Sequence, residues 1–133
     1  MSHLQYFSYE GFGDRVRKDT HYSQAVRIGD VVKISGQGGW DRITEKIPTD
    51  IEKQVAQAFD NVEHTLQKAG SKGWEQVYQV RIYCAPDRSK AMGPIISNLK
   101  KYCPNHQPLL TGVEVASLYN GMAIEIEVEA HLG

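Results

Sequence analysis

The stretch PLLTGVEVASLYNGMAIEIEVEA, Pro108 to Ala130, decides the architecture. It alternates apolar and polar residues on both sides of Asn120-Gly121, a pair that suits the two left-handed positions of a tight hairpin. Pairing the two arms about that turn sets Val113 against Val128 and Val115 against Ile126, an apolar face. The other face then holds Glu114 against Glu127, Ala116 against Glu125, Gly112 against Glu129 and Leu110 against His131. Like charges directly opposite one another are destabilising. No Lys or Arg follows Lys101, so the compensating charge has to come from elsewhere: Arg81 on a neighbouring strand is the nearest candidate within the chain, and loops or a second subunit are the other sources. A solvated strand face is the plain reading of these glutamates. The small and apolar Leu110, Gly112 and Ala116 interrupt it, which suits contact between subunits.

Working back from this stretch, VYQVRIYCA (Val77–Ala85) alternates, with Val80, Ile82 and Cys84 on one side and Gln79, Arg81 and Tyr83 on the other. YSQAVRIG and VVKISGQ flank Gly29-Asp30, a second hairpin signal. In PTDIEKQVAQAFDNVEHTLQKAG, Ile51, Val55, Phe59, Val62 and Leu66 share one helical face. Thr49 and Glu52 form a capping-box pair, and Gly70 suits the left-handed stop. A second helix lies within DRSKAMGPIISNLKKYC, capped by Asp87, with its regular part expected from Pro94. Met92, Ile95 or Ile96, Leu99 and Tyr102 or Cys103 share its inner face. The expected order is β-β-α-β-α-β, with room for a further strand in QYFSYEG. Two amphipathic helices cover one sheet face only, so the fold class is α+β and the other face is left to something else.

The 133 residues read as one domain, with 41% hydrophobic and 23% charged residues, a composition that buries a core and excludes a disordered chain. A net charge of −1 gives no basic footprint for nucleic acid. MSHLQYFSYEG has neither the charged nor the apolar part of a leader, and no run is long enough to span a membrane. A cytoplasmic protein is expected, with no membrane partner and no mitochondrial transit peptide. Five scattered histidines and two distant cysteines fit no metal spacing, so neither metal nor other cofactor is expected.

The chemistry-bearing residues are few. ISGQGGWD (Ile34–Asp41) ends a strand in a glycine-rich run whose backbone N–H groups can cradle an anion, although such runs are more often plain turns. Cys84 and Cys103 fall on core faces and read as structural thiols. Ser23 and Ser35 have no evident His-acid partners. Glu125 and Glu127 suit acid-base work if desolvated, but their spacing is also that of a strand face. Trp40 and Trp74 lie near loops, where each lines a pocket or covers the core.

Taken together, HYSQAV, ISGQ, QVAQAFDNVEHTLQKAG and VEVASL…IEIE, from about Tyr22 to Ala130, resemble the Rid family, the reactive-intermediate deaminases also called YjgF-like proteins. The resemblance implies a chorismate-mutase-like fold and a homotrimer, with small-molecule clefts between adjacent subunits. It also implies hydrolysis of enamine and imine acids such as 2-aminoacrylate to a keto acid and ammonia. Tyr22, Ser35, Gly36 and Gln37 match the family's cleft residues, and Glu125 matches the glutamate that positions the catalytic water. The family arginine that grips the substrate carboxylate falls at Leu110, and the cysteine two residues later at Gly112. Trp40 and the glycines before it depart from the family's aliphatic-proline run and suggest a reshaped cleft.

Leucine cannot pair with a carboxylate. Losing that charge-assisted fork removes ~2–4 kcal/mol of binding, so turnover of 2-aminoacrylate is expected to be weak or absent. Three functions follow from the resemblance. The first is an enzyme acting on a small imine of altered charge, and the second a trimeric binding or protective protein without the chemistry. The third, less favoured by the charge balance, is a translation-inhibiting ribonuclease.

Overall fold

The computed structural model describes all residues from Met1 to Gly133. Six strands form one mixed sheet: β1 (Gln5–Phe7), β2 (Ala25–Ile28), β3 (Val31–Ile34), β4 (Val77–Cys84), β5 (Leu109–Glu114) and β6 (Ile124–His131). Three helices accompany it: α1 (Phe12–Thr20), α2 (Ile51–Lys68) and α3 (Ser89–Tyr102). The strand order is β1-β2-β3-β6-β4-β5.

That order overturns the hairpin expected at Asn120-Gly121. β5 and β6 do not touch, because β4 lies between them, parallel to β5 and antiparallel to β6. The dipeptide does adopt the backbone that its residues favour, with φ of 51° at Asn120 and 68° at Gly121. It sits, however, in a connection spanning residues 115–123, long enough to carry the chain past the end of β4. Parallel strands need a crossover, and α3 supplies it between β4 and β5.

The register settles the charge problem. Glu127 pairs with Arg81 instead of Glu114, and Glu129 lies across from Lys33 on one side and Gln79 on the other. Arg81 Nη1 lies 3.3 Å from Glu129 and 3.8 Å from Glu127, while Lys33 Nζ is 3.9 Å from Glu129. The Tyr83 hydroxyl donates to Glu127 at 2.6 Å, and the Tyr78 hydroxyl to Glu129 at 3.0 Å. Leu110, Gly112 and Glu114 pair with Val80, Ile82 and Cys84, which sets them on the helix side of an exposed edge strand and not beside the glutamates. Val113 correspondingly turns to the open face, where the expected pairing had made it core.

Beneath α2 and α3 lies the main core, in which Val55, Phe59, Val62 and Leu66 of α2 meet Val80, Ile82, Ile124, Ile126 and Val128 of the sheet. Trp74 belongs to this core, stacked on Phe59 at 4.8 Å. Cys84 and Cys103 are buried and unpaired, and burial pushes both thiols up, Cys103 to about 11, so neither is a thiolate at neutral pH.

Two helix starts differ from expectation. Asp50, one residue after Thr49, caps α2 by accepting from the Lys53 N–H at 3.0 Å. Asp87 holds the Ser89 N–H and hydroxyl, so α3 begins five residues before Pro94 and carries that proline inside it. Of the alternatives on its inner face, Ile95 is buried and Ile96 exposed. Gly70, at φ 92°, ends α2 as expected. A third helix, α1, was not foreseen. It packs through a second, smaller cluster of Tyr9, Phe12, Val16, Trp40 and Met122.

Candidate active site

A cavity of about 240 Å³ opens where the start of β6 meets α1 and the glycine-rich loop after β3. Phe12, Arg15, Val16 and Thr20 of α1 line one side, and Tyr22, Gly36, Trp40, Tyr119, Met122 and Glu125 complete it. Of the residues predicted for the site, four come together here: Tyr22, Gly36, Trp40 and Glu125. Ser35 lies in an adjoining cleft on the open sheet face that Tyr22 also borders. Gln37 is fully buried behind the wall. Leu110 and Gly112 stand two strands away, in the groove between β5 and α3, outside this chain's own cavity.

The glycine-rich loop is fastened from both sides. Gln37 exchanges backbone hydrogen bonds with Ile126 at 2.7 and 2.9 Å, which carries the sheet pairing beyond β3. Asn61 of α2 donates to the carbonyls of Gly38 and Trp40, both at 2.8 Å. A buried chain of side chains supports the wall. The Trp40 indole donates to the Tyr9 hydroxyl, which donates to Gln37 Oε1, and Gln37 Nε2 donates to Gln24 Oε1. Gln24 Nε2 is left as the buried amide nitrogen without a partner. Trp40 both lines the cavity and packs on Phe12, ring to ring at 3.9 Å, so the two readings of that residue are not exclusive.

Gly36 explains itself at close range. A Cβ at that position would overlap the Glu125 carboxylate, so only glycine lets Glu125 lie flat against the loop. Burial first, and the charge of Glu127 second, raise the Glu125 carboxyl above the ordinary glutamate range, with no hydrogen bond pulling it back. The Tyr22 hydroxyl is also held up, first by burial, with the charge of Glu125 adding to the effect. A partly desolvated carboxylate of this kind, beside a phenol, can take a proton from water and hold that water against a small ligand. No three His, Cys, Asp or Glu side chains converge as metal ligands.

Arg15, Phe12, Val16, Tyr119 and Met122 escaped sequence reading. A signal for α1 was present in Asp14 near its start and Arg17 and Lys18 near its end, the order that a helix dipole favours. Arg15 is the cavity's one cation, and it is engaged. Its Nε lies 2.8 Å from Glu45 Oε2 and its Nη2 2.6 Å from Glu45 Oε1.

Comparison with known proteins agrees with this architecture. The 2-iminobutanoate/2-iminopropanoate deaminase of Dermatophagoides farinae is 32% identical over 108 residues, covering 80% of this chain and 81% of its own length. A RutC family protein of Aquifex aeolicus is 34% identical over 110 residues, covering 82% of this chain and 86% of its own. Among solved structures, a YjgF/YER057c/UK114 family member from Mycobacterium tuberculosis superposes with a TM-score of 0.78 at 27% identity, over 96% of this chain and 98% of that one. RidA from the Antarctic bacterium Psychrobacter gives 0.77 at 25% identity, over 98% and 99%. The α+β sheet with its helices is thus the chorismate-mutase-like arrangement of these neighbours. The profile described as Endoribonuclease L-PSP matches residues 12–132, and the chain therefore belongs to that family, the YjgF or Rid proteins.

Proposed function

We propose that this protein is a metal-free imine hydrolase of the deaminase type whose cavity has lost the family's grip on a substrate carboxylate. The observation that carries the reading is the Glu125 carboxylate, partly desolvated, free of intrachain hydrogen bonds and seated on Gly36 in a small, largely apolar cavity. Glu125 takes a proton from a water molecule as its oxygen adds to the imine carbon. The nitrogen, protonated in turn, leaves as ammonia, and the carbonyl compound remains. Tyr22 is within reach of the same space to orient the substrate, and the backbone around Ser35, Gly36 and Gln37 supplies further contacts. With leucine at position 110 and Arg15 occupied by Glu45, an uncharged imine suits the cavity better than an imino acid.

The reading extends to assembly. Tyr6, Ile28, Leu109 and Val113 leave apolar surface on the open sheet face, beside the charged centre made by Arg81 and the glutamates. Packing that face against two further copies gives a cytoplasmic homotrimer, in which Leu110 and Gly112 of one subunit border a neighbour's cleft. The two levels are tested separately. Imines generated by an amine oxidase, which are uncharged, are compared with those from an amino-acid oxidase by ammonia release. Faster release from the uncharged set, lost in Glu125→Gln, is the expected result. Turnover of 2-aminoacrylate at a full deaminase rate would overturn the proposed loss of carboxylate recognition. Ligand binding without turnover would instead favour a binding or protective protein, a reading that the missing cation at position 110 also suits. Sizing in dilute solution tests the trimer.

A further inference from the structure

The cavity's charge is set by a pair that no sequence motif points to. Arg15 stands on its wall, the only cation among the lining residues, and Glu45 approaches from the loop after Trp40 to take the guanidinium fork. Glu45 is placed there by its backbone. It has φ of 64°, an uncommon conformation for a residue with a side chain, and its N–H is bonded to the Asp41 carbonyl at 2.9 Å. The Asp41 carboxylate holds the turn by accepting from the N–H groups of Ile43 and Thr44, both at 2.8 Å. Asp19 lies 3.7 Å from the Arg15 Nη1 on the far side.

We propose that the Arg15–Glu45 pair is the charge selector of this site: with Glu45 in the fork the cavity refuses a carboxylate, and without it Arg15 becomes a carboxylate anchor. This rests on the reading of the cavity as a small-molecule site and names the class it takes, an uncharged carbonyl or imine compound. Two facts drive it. The fork is the geometry that a substrate carboxylate would itself occupy, so Glu45 and an acid compete for the same donors. Glu125 lines the same cavity, so an entering anion meets a carboxylate on the wall and a guanidinium already neutralised by Glu45. The pair is also partly solvated, with side-chain exposures of 38% and 30%, so the guanidinium fork is open to a new partner once the Glu45 charge is removed. Removing the Glu45 charge therefore exposes a cation already in place on the wall.

The test uses two probes of matched shape, 4-methyl-2-oxopentanoate and 4-methyl-2-pentanone, titrated while following the Trp40 indole N–H signal by NMR. The wild-type protein is expected to bind the ketone more tightly than the acid. In Glu45→Gln the ratio of acid to ketone affinity should rise about tenfold, less than the full worth of a charge-assisted fork because this one is partly solvated. Adding Arg15→Gln should abolish the gain. Arg15→Lys, which keeps the charge without the fork, should retain only part of it and serves where Arg15→Gln does not fold. An unchanged ratio in Glu45→Gln, a gain that persists without Arg15, or no acid binding by either protein would overturn the selector. Ammonia release from uncharged imines, measured on the same samples, separates the two levels. Turnover with an unchanged ratio removes the selector alone, whereas a tenfold gain without turnover removes the deaminase reading alone.

Discussion

Glu125 and Glu127 stand two residues apart on one strand face, in the same sheet and near the same neighbours, yet they live in different chemistries. Glu127 faces Arg81 and accepts from the Tyr83 hydroxyl at 2.6 Å. Glu125 lies across from the Tyr83 backbone, takes no hydrogen bond from it, and sits on Gly36 at the rim of the cavity. The first is a carboxylate satisfied by its surroundings. The second is held short of partners, with its carboxyl raised by burial. A strand can therefore set a structural and a reactive glutamate side by side, the distinction being drawn by what the neighbouring strand and loop place opposite each.

The sharpest way to break this contrast is to neutralise each in turn. Glu125→Gln should lower ammonia release from imines by ~100-fold or more, the scale of a lost acid-base group, while Glu127→Gln leaves it within a few-fold. Equal losses in steady-state assays of the two would erase the distinction. Gly36→Ala should act next most strongly, because the new methyl displaces Glu125 from its seat. About a tenfold fall in kcat with an intact far-UV spectrum is expected, by analogy with other small misplacements of a catalytic group.

A third measurement reads the contrast through stability. Because the folded-state pKa of Glu125 is raised, its contribution to stability is present below the unfolded pKa and is lost as pH rises through the folded one. Glu125→Gln should thus be more stable than wild type at pH 7, and the difference should vanish below the ordinary glutamate range. Urea melts at both pH values decide it. The smallest effect belongs to Arg81→Ala, whose half-buried, single-contact pairs contribute about 1 kcal/mol in a single chain. A loss several times larger in urea melts would show those carboxylates to be far less solvated than their exposure implies.

Much of the fold was legible where one element carries its own signal. The five apolar residues from Ile51 to Leu66 gave α2, Gly29-Asp30 gave the β2–β3 hairpin, and the alternation of Val80, Ile82 and Cys84 gave β4 with the right side inward. What was not legible is which strand lies beside which. Asn120-Gly121 reports its own backbone angles faithfully and says nothing about partners, so the hairpin inferred from it was false although both arms are strands. The α-helix between β4 and β5 carried the better clue, since a helix between two strands usually joins parallel neighbours.

The candidate site divides along the same line. Tyr22, Gly36, Trp40 and Glu125 were named from the sequence and share a cavity. Arg15 was not, because α1 buries only Phe12, Gly13 and Val16 among nine residues and leaves too little apolar periodicity to detect. Its fork with Glu45 spans thirty positions and has no local signature at all.

The placement of β6 carries a consequence for how the molecule is made. It is the last of the six strands in chain order, and it lies between β3 and β4, which no other strand joins. Without Ile124 and its successors, β3 and β4 lose their shared hydrogen-bond partner, and unpaired strand edges of that kind invite pairing with other polypeptides. Glu125 arrives with that same segment. Closing the sheet and completing the cavity thus depend on one strand, and a chain that lacks it has neither.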